Sequence, residues 1–240
     1  MTGAPVAAAS PLVPRRLLLL CGACGAALVP IALAVAVDCG RLAHFDQYSV
    51  SHLMPWLGPT TKRTTLAHLV VPETRHTLGG TLVALLVYPA SFLVSGAIVL
   101  ACALALARRD RWTPAVALCA GWLAVGAVEA AGKRLVTRPT LRQTSWGSHG
   151  YLPGFDHSLP SGHTMRALVV AAAVAAAARG GRLAYLWALS VPVALVAIGD
   201  HTVTDVVAGL GAGIAVVAVC AAASTTSARR TPRSGRPCAR

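Results

Sequence analysis

Six long apolar runs are the feature that most constrains how this chain can fold. The runs lie at about residues 17–37, 81–107, 113–132, 164–179, 183–200 and 204–224. Each approaches the roughly 20 apolar residues that cross a bilayer as one helix. Because 55% of the 240 residues are hydrophobic and only 12% are charged, the composition is typical of membrane proteins. The runs therefore predict an all-α, polytopic bundle of six transmembrane helices.

The polar stretches between the runs predict the organisation of the rest of the chain. Residues 1–16 are expected to form a flexible leader, and residues 225–240 a basic, disordered tail. The six-helix domain is expected to cover residues 17–224. Within it, residues 38–80 are predicted to lie on the outer membrane surface, and residues 138–160 to form an outer loop rich in turn formers. A loop of that length between spans is often functional.

The basic residues predict the orientation of the bundle in a cell membrane. The net charge is +13, and one side of a six-span arrangement collects Arg15, Arg16, Arg108, Arg109, Arg111, Arg179, Arg182 and the arginines of the tail. By the positive-inside rule this side is cytoplasmic, with both termini inside. Basic residues on the other side, such as Lys133 and Arg142, run against the rule, which indicates another role for them. The tail is expected to contact anionic lipid headgroups, and nucleic-acid binding is not expected.

A Pro-Ser-Gly-His sequence at residues 160–163 opens the fourth apolar run. Ser161 is a favoured helix cap, and Gly162 allows a ligand to approach the backbone closely. The free amide groups at such a helix start can bind an anion. His163 adds a proton donor at the same place. Because many helices begin with Ser-Gly, the motif alone is a weak signal.

His201 and Asp205 stand four residues apart where the last run begins, so they share a helix face. A carboxylate bonded to one imidazole nitrogen fixes the tautomer and leaves the other nitrogen available as a base or nucleophile. A capping histidine beside an acidic first turn is the structural alternative. Ionisable groups in an apolar environment mainly line cavities or do chemistry. The two motifs together therefore predict a catalytic pocket at matching ends of two helices.

Glu129 and Lys133 are also four residues apart, at the end of the third run. A glutamate in an apolar run is costly unless it is paired, and Lys133 is the expected partner. A purely structural ion pair is one interpretation. In the functional interpretation, Glu129 holds Lys133 toward the pocket, where Arg138 joins it to bind a dianion. Lysine, arginine, Ser-Gly amides and two histidines together describe a phosphate site.

In order and spacing, these motifs resemble the three-part signature of the type 2 phosphatidic acid phosphatase superfamily. The superfamily includes lipid phosphate phosphatases and undecaprenyl-diphosphate phosphatases, with vanadium haloperoxidases as soluble relatives. The resemblance covers about residues 80–224 and rests on Lys133-Arg-Leu-Val-Thr-Arg138-Pro139, Pro160-Ser-Gly-His163 and His201-x-x-x-Asp205. It implies the membrane bundle of this superfamily with an extracytoplasmic site, and it implies neither a cofactor nor a metal.

The resemblance also implies a role for each motif residue. His201 attacks phosphorus and forms a phosphohistidine, Asp205 orients His201, and His163 protonates the leaving oxygen. Glu129 supports the neighbouring lysine. The equatorial phosphate oxygens are held by Lys133, Arg138, Ser161 and Gly162.

Two positions depart from the family pattern. The first motif normally has an arginine seven residues after its lysine, where this chain has Thr140, with Arg138 two residues earlier. The third motif normally has an arginine six residues before its histidine, where this chain has Leu195. Losing such a contact to transition-state charge can cost several kcal/mol. Arg142 and Arg166 are the candidates to compensate for it.

The expected activity is the removal of phosphate from a lipid phosphate or diphosphate in the membrane. Polyprenyl diphosphate is the first expected substrate, followed by phosphatidic acid or phosphatidylglycerol phosphate. Two alternatives stay open: a phosphoryl transferase acting on a lipid or sugar acceptor, and a catalytically silent member that binds lipid phosphate. Asp200 places a further negative charge directly before His201, which is unfavourable beside a dianion unless it binds a cation or a hydroxyl. The sequence carries no prediction of the oligomeric state.

Overall fold

The computed structural model describes residues 14–52, 78–143, 150–151, 156–197 and 200–227. Its helices are α1 (Arg15–Asp38), α2 (Ala43–His52), α3 (Leu78–Val87), α4 (Phe92–Ala107), α5 (Trp112–Leu135), α6 (Gly162–Ala177), α7 (Ala184–Ala197) and α8 (Val203–Ser227). The two-residue strands β1 (Arg142–Gln143) and β2 (Gly150–Tyr151) pair antiparallel. Apart from this ribbon and short 3-10 turns, the regular structure of the described chain is helical, as the apolar runs predict.

Helices occupy all six predicted spans, but they differ in length. Three of them, in α1, α5 and α8, are long and apolar enough to cross a membrane, with 24, 24 and 23 residues. The apolar helices α4, α6 and α7 are shorter. A helix of 16 residues, such as α6, is about 24 Å long, less than the roughly 30 Å bilayer core. The three long helices indicate a membrane protein, and the total of six crossings stays a prediction.

The second predicted span consists of two helices rather than one. A 3-10 turn at Tyr88–Ala90 separates α3 from α4. Pro89 lies at this break, and it favours an interruption there because proline lacks an amide hydrogen and disfavours the helical conformation of the residue before it. At the break, the carbonyl oxygen of Ala90 accepts a hydrogen bond from Arg166 Nε at 2.9 Å. The interruption thus gives a partner to a buried arginine of α6.

α6 is the central helix and packs against α4, α5, α7 and α8. All its residues from Gly162 to Ala171 are buried except His163, which is half-buried. Small side chains let neighbouring membrane helices approach closely, and glycines of α8 extend this effect. A Cβ at Gly209 would lie 2.8 Å from the carbonyl oxygen of Ser161. The start of α8 is therefore pressed against the start of α6.

Several boundaries predicted for the polar segments shift or fall outside the described residues. α1 begins at Arg15, so it includes the last two residues of the predicted leader. α8 continues to Ser227, so it includes the first three residues of the predicted tail. The structure places α2 within the predicted surface segment and the ribbon within the predicted loop. The remaining predictions for those segments concern residues outside the described part of the chain, namely 1–13, 53–77, 144–149, 152–155 and 228–240.

Candidate active site

The second and third motifs meet at one end of the bundle, where α6 and α8 begin. The backbone amide of Ser161 donates a hydrogen bond of 3.0 Å to the carbonyl oxygen of Asp205, which joins the two helix starts. Nearby, a ring nitrogen of His163, a ring nitrogen of His201 and a carboxylate oxygen of Asp200 all lie within 4.8 Å of one another. The structure therefore brings both histidines into one site.

His201 is buried and lies between two carboxylates. Its Nδ1 is 3.3 Å from Oδ2 of Asp205, and its Nε2 is 3.9 Å from Oδ2 of Asp200. The amides of residues 200 and 201 both donate to the carbonyl oxygen of Leu195, at 2.9 and 3.3 Å, so the segment is anchored to the end of α7. A carboxylate at Nδ1 fixes the proton there and leaves the lone pair on Nε2. The available lone pair of this imidazole is therefore on Nε2, the nitrogen that lies near Asp200.

Asp205 is completely buried and is held from two sides. Arg138 Nη2 donates to Oδ1 at 2.5 Å, and the Thr202 amide donates to Oδ2 at 3.0 Å. In return, the Asp205 amide donates to Thr202 Oγ1 at 3.3 Å. This reciprocal arrangement is a capping box at the start of α8. The Thr-x-x-Asp spacing is visible in the sequence, and it explains why Asp205 has a fixed position below His201.

Arg138 is buried against the start of α8 and contacts several protein side chains. Beside its bond to Asp205, it donates from Nη1 to Thr202 Oγ1 at 2.8 Å and from Nη2 to Thr204 Oγ1 at 3.0 Å. These bonds orient the guanidinium group toward Asp205 and the two threonines beside it. Arg138 is thus a positioning residue for Asp205, and its predicted contact with phosphate stays a prediction.

Asp46 belongs to the same network and was not among the residues predicted for the site. It lies on α2, is only 1% exposed, and its Oδ1 accepts a hydrogen bond of 2.7 Å from Thr204 Oγ1. Its Oδ2 lies 3.5 Å from Arg138 Nε, an ion pair longer than a hydrogen bond. Burial raises the pKa of Asp46, because lost hydration outweighs the Arg138 charge and the threonine bond. The network therefore connects α2 to the pair formed by His201 and Asp205.

Glu129 links two cations at the start of α6. Lys133 Nζ lies 2.6 Å from Oε1 of Glu129, and Arg166 Nη1 pairs with Oε2. A Cβ at position 162 would collide with this carboxyl group, so only glycine lets Glu129 lie against the first turn of α6. The Lys133 side chain is 41% exposed, so it is the least buried of the cations paired here. Lysine and arginine thus share one carboxylate beside His163.

The other predicted ligands have distinct positions. Ser161 caps α6, and its Oγ accepts from the Thr164 amide at 3.4 Å and from Thr164 Oγ1 at 3.1 Å. Arg142 is exposed in β1, where its amide donates to Gln47 Oε1 at 2.9 Å and its carbonyl accepts from Gln47 Nε2 at 2.6 Å. These contacts attach the ribbon to α2. Among the described contacts of Arg142, none is with the two histidines.

The charged side chains of the site nearly balance one another. Its cations are Lys133, Arg138 and Arg166, and its carboxylates are Asp46, Glu129, Asp200 and Asp205. With neutral imidazoles, three positive and four negative charges leave a net charge of −1. Each of the three cations contacts at least one carboxylate. The predicted pairing of Glu129 with Lys133 is confirmed, whereas the ion pairs of Arg138 with Asp46 and Asp205 were not predicted.

Fold and site together define an all-helical membrane protein with two histidines and a buried aspartate at the end of its bundle. Residues 114–229 match the family model of the PAP2 superfamily. The match confirms the family predicted from the motifs: residues 114–229 carry a PAP2 superfamily domain, which covers α5 from its third residue, α6, α7 and α8, and all the motif residues. This superfamily typically includes phosphatases that act on lipid phosphates. Searches among curated proteins and among solved structures found no match.

Proposed function

We propose that the protein is a membrane phosphatase that hydrolyses a lipid phosphate or polyprenyl diphosphate through a phosphohistidine at His201. One observation carries the proposal. The Nδ1 of His201 lies against the buried carboxylate of Asp205, and a nitrogen of His163 lies within 4.8 Å of the His201 ring nitrogen. A nucleophile, its orienting carboxylate and a second proton-transfer group are the components that nucleophilic catalysis requires.

The proposed reaction has two steps. In the first, the Nε2 lone pair of His201 attacks phosphorus, the bond from phosphorus to the leaving oxygen breaks, and protonated His163 gives that oxygen its proton. In the second, neutral His163 removes a proton from water, the water oxygen attacks phosphorus, and the phosphorus–nitrogen bond breaks to release phosphate. Asp205 stabilises the positive charge that His201 carries in the intermediate.

The start of α6 provides the proposed phosphate cradle. Backbone amides at a helix N-terminus bind anions, and Ser161 and Gly162 are the residues there. Lys133 supplies a cationic side chain that is 41% exposed, and Arg166 lies beside it across Glu129. Polyprenyl diphosphate is the first proposed substrate, with phosphatidic acid and phosphatidylglycerol phosphate next, since in each the phosphate lies at headgroup level.

The proposal is tested with full-length protein purified in detergent or lipid nanodiscs. Phosphate release is measured from a panel of these lipid phosphates, with and without EDTA. Release that is insensitive to EDTA supports the proposed mechanism, whose steps use only side chains of the chain. No release from any member of the panel by folded protein would overturn the hydrolase proposal.

A silent lipid-phosphate-binding protein is the second candidate. Its support is Leu195, which is 0% exposed within an apolar cluster at the position where the family pattern has an arginine. A second support is that Lys133, Arg138 and Arg166 are each already paired with a carboxylate. Vanadate mimics phosphate during transfer, so binding of vanadate or lipid phosphate without phosphate release would favour this candidate. An arginine at position 195 would enter the apolar cluster, so restoring the family residue is not an informative variant.

We also propose that the site faces away from the cytoplasm, with both termini inside. Two native cysteines test this orientation: Cys39 is exposed just after α1, and Cys238 lies in the tail. A membrane-impermeant maleimide should label Cys39 in intact cells, because the proposed topology places it outside, and should label Cys238 only after permeabilisation. Mass spectrometry of the labelled peptides measures this, and Cys39→Ser and Cys238→Ser are the controls. The opposite pattern would reverse the orientation.

Replacing Arg138 with lysine should lower kcat/KM for phosphate release roughly a hundredfold, the scale of a lost charged contact in catalysis. Lysine keeps the charge but lacks the planar fork that bonds Asp205 and two threonines at once. Steady-state kinetics should show the loss mainly in kcat, because Arg138 acts through Asp205. Arg134→Lys, at an exposed position in the last turn of α5, is the matched control. An unchanged kcat would contradict the positioning role.

A further inference from the structure

Asp200 has no part in the proposed phosphatase reaction, yet it lies directly beside the reactive nitrogen of His201. We propose that His163, Asp200 and His201 form a binding site for a divalent transition-metal ion of the Zn²⁺ type, and that the bound ion blocks catalysis. The binding site is argued from geometry, charge and ligand chemistry. Only its inhibitory consequence rests on the proposed function.

The three ligand atoms are close enough to converge on one ion. They all lie within 4.8 Å of one another, and Nε2 of His201 is 3.9 Å from Oδ2 of Asp200. Zinc bonds of 2.0–2.2 Å in a tetrahedral arrangement place neighbouring ligand atoms about 3.3–3.5 Å apart. The Asp200 side chain is 32% exposed, and a small rotation of its carboxylate shortens the 3.9 Å distance to Nε2 of His201. The half-buried His163 ring must also move slightly toward the ion.

The surroundings of His201 favour metal binding through Nε2. Metal-binding histidines almost always donate their other ring nitrogen to a carboxylate or carbonyl, which fixes the tautomer and strengthens the ligand. Asp205 provides this contact at Nδ1, and Arg138 and the Thr202 amide hold Asp205 in turn. One ligand of the proposed site is therefore already oriented by the fold.

Charge and ligand chemistry point to the same class of ion. The site has a net charge of −1 when its imidazoles are neutral, so a divalent cation is attracted to it. Two imidazole nitrogens and one carboxylate oxygen form a ligand set that zinc uses, with a fourth position left for water or a phosphate oxygen. Magnesium prefers six oxygen ligands and fits this set poorly.

Metal binding here is incompatible with the proposed reaction. The ion would occupy the lone pair of His201 Nε2, which is the atom that attacks phosphorus. It would also occupy a nitrogen of His163, which then could not carry the proton for the leaving oxygen. Zn²⁺ should therefore inhibit phosphate release, and EDTA should restore it.

The test uses full-length protein in phosphatidylcholine nanodiscs, stripped of metal and titrated with Zn²⁺ in a calorimeter. We expect one ion per chain whose Kd rises at least about tenfold in Asp200→Asn, since even outer-shell changes at metal sites cost that much. His163→Ala should give a similar loss, and Asp200→Glu should retain binding. Asp110→Asn, in an exposed turn after α4, should bind as wild type does. Zn²⁺ should also raise the Tm of wild type more than that of Asp200→Asn.

Several results would overturn the proposal. One is no binding up to about 1 mM Zn²⁺. Another is an equal Kd in wild type, Asp200→Asn and His163→Ala, because the ion would then be bound by other side chains. The elution volume and the Tm measured without metal identify a variant that has not folded. In that case, the Kd of Asp200→Glu is compared with that of wild type instead. Because binding is measured without turnover, stoichiometric Zn²⁺ with no phosphate release leaves the metal site in place and rejects only the phosphatase. If Zn²⁺ binds but phosphate release is not inhibited, only the proposed inhibition of catalysis is rejected.

Discussion

Replacing His201 with alanine should abolish phosphate release, with kcat falling by roughly 10⁴-fold or more, as expected when a covalent nucleophile is removed. The reason is that the phosphohistidine can no longer form, and no described side chain other than His163 brings a second imidazole to the site. Phosphate release and trapping of an acid-labile phosphoenzyme measure the effect. The phosphoenzyme should accumulate in wild type and be absent from His201→Ala.

His157→Ala is the matched control for this loss, because His157 is an exposed histidine in the loop that leads to α6. Its kcat should stay within about twofold of wild type, as is usual for surface substitutions away from buried features. The Tm of both variants separates a chemical effect from unfolding. Substantial phosphate release by folded His201→Ala would place the nucleophile elsewhere.

The sequence predicts helices well where apolar residues run without interruption, and it fails where one residue redirects the chain. The runs that became α1, α5 and α8 needed no tertiary information, since each is long enough to span a bilayer. The run at 81–107 is interrupted at Pro89, but a proline did not by itself predict the break, because Pro30 and Pro192 lie within the continuous helices α1 and α7. Pro89 itself was visible in the sequence. The hydrogen bond between Arg166 and the Ala90 carbonyl was not, because it depends on how α6 packs against the break.

The contacts of the candidate site likewise divide into those that the sequence predicts and those that depend on packing. Motif spacing brought together the residue pairs that share a helix face, such as His201 with Asp205 and Glu129 with Lys133, because four residues make about one helical turn. Asp46 was missed because its hydrogen-bond partner Thr204 is 158 residues away, a distance over which the sequence has no periodic signal. Helical spacing likewise could not reveal that Glu129 lies against α6. That contact arises only when α5 and α6 pack together.

The pairing of charges explains how such a polar site can lie at the end of an apolar bundle. A buried charge is costly unless an opposite charge and hydrogen bonds compensate it. Arg138 with its two carboxylates, and Glu129 with its two cations, meet that requirement before any substrate binds. In the proposed reaction, the phosphate must compete with carboxylates that are already in place, so we propose that the helix amides and the partly exposed Lys133 are the principal groups that recognise it.

Replacing His163 with alanine should slow release from lipid alkyl phosphates by about 10²–10⁴-fold, the contribution of a positioned general acid. Activated aryl phosphates such as p-nitrophenyl phosphate should lose much less, because their leaving oxygen departs without a proton. The measurement is the ratio of kcat/KM for the two substrates in wild type and in His163→Ala. A change in that ratio cannot come from a general loss of folded protein, which would lower both rates equally.

Equal losses on both substrates would remove His163 from the role of general acid and leave it as a phosphate or metal ligand. Zn²⁺ then provides an independent check on the same variant. If His163 is both acid and metal ligand, His163→Ala should change the substrate ratio and weaken Zn²⁺ binding together. If it is only a ligand, Zn²⁺ binding weakens while the ratio stays at its wild-type value. Together, the two measurements show whether His163 acts as the proposed general acid, as a ligand of the proposed metal ion, or as both.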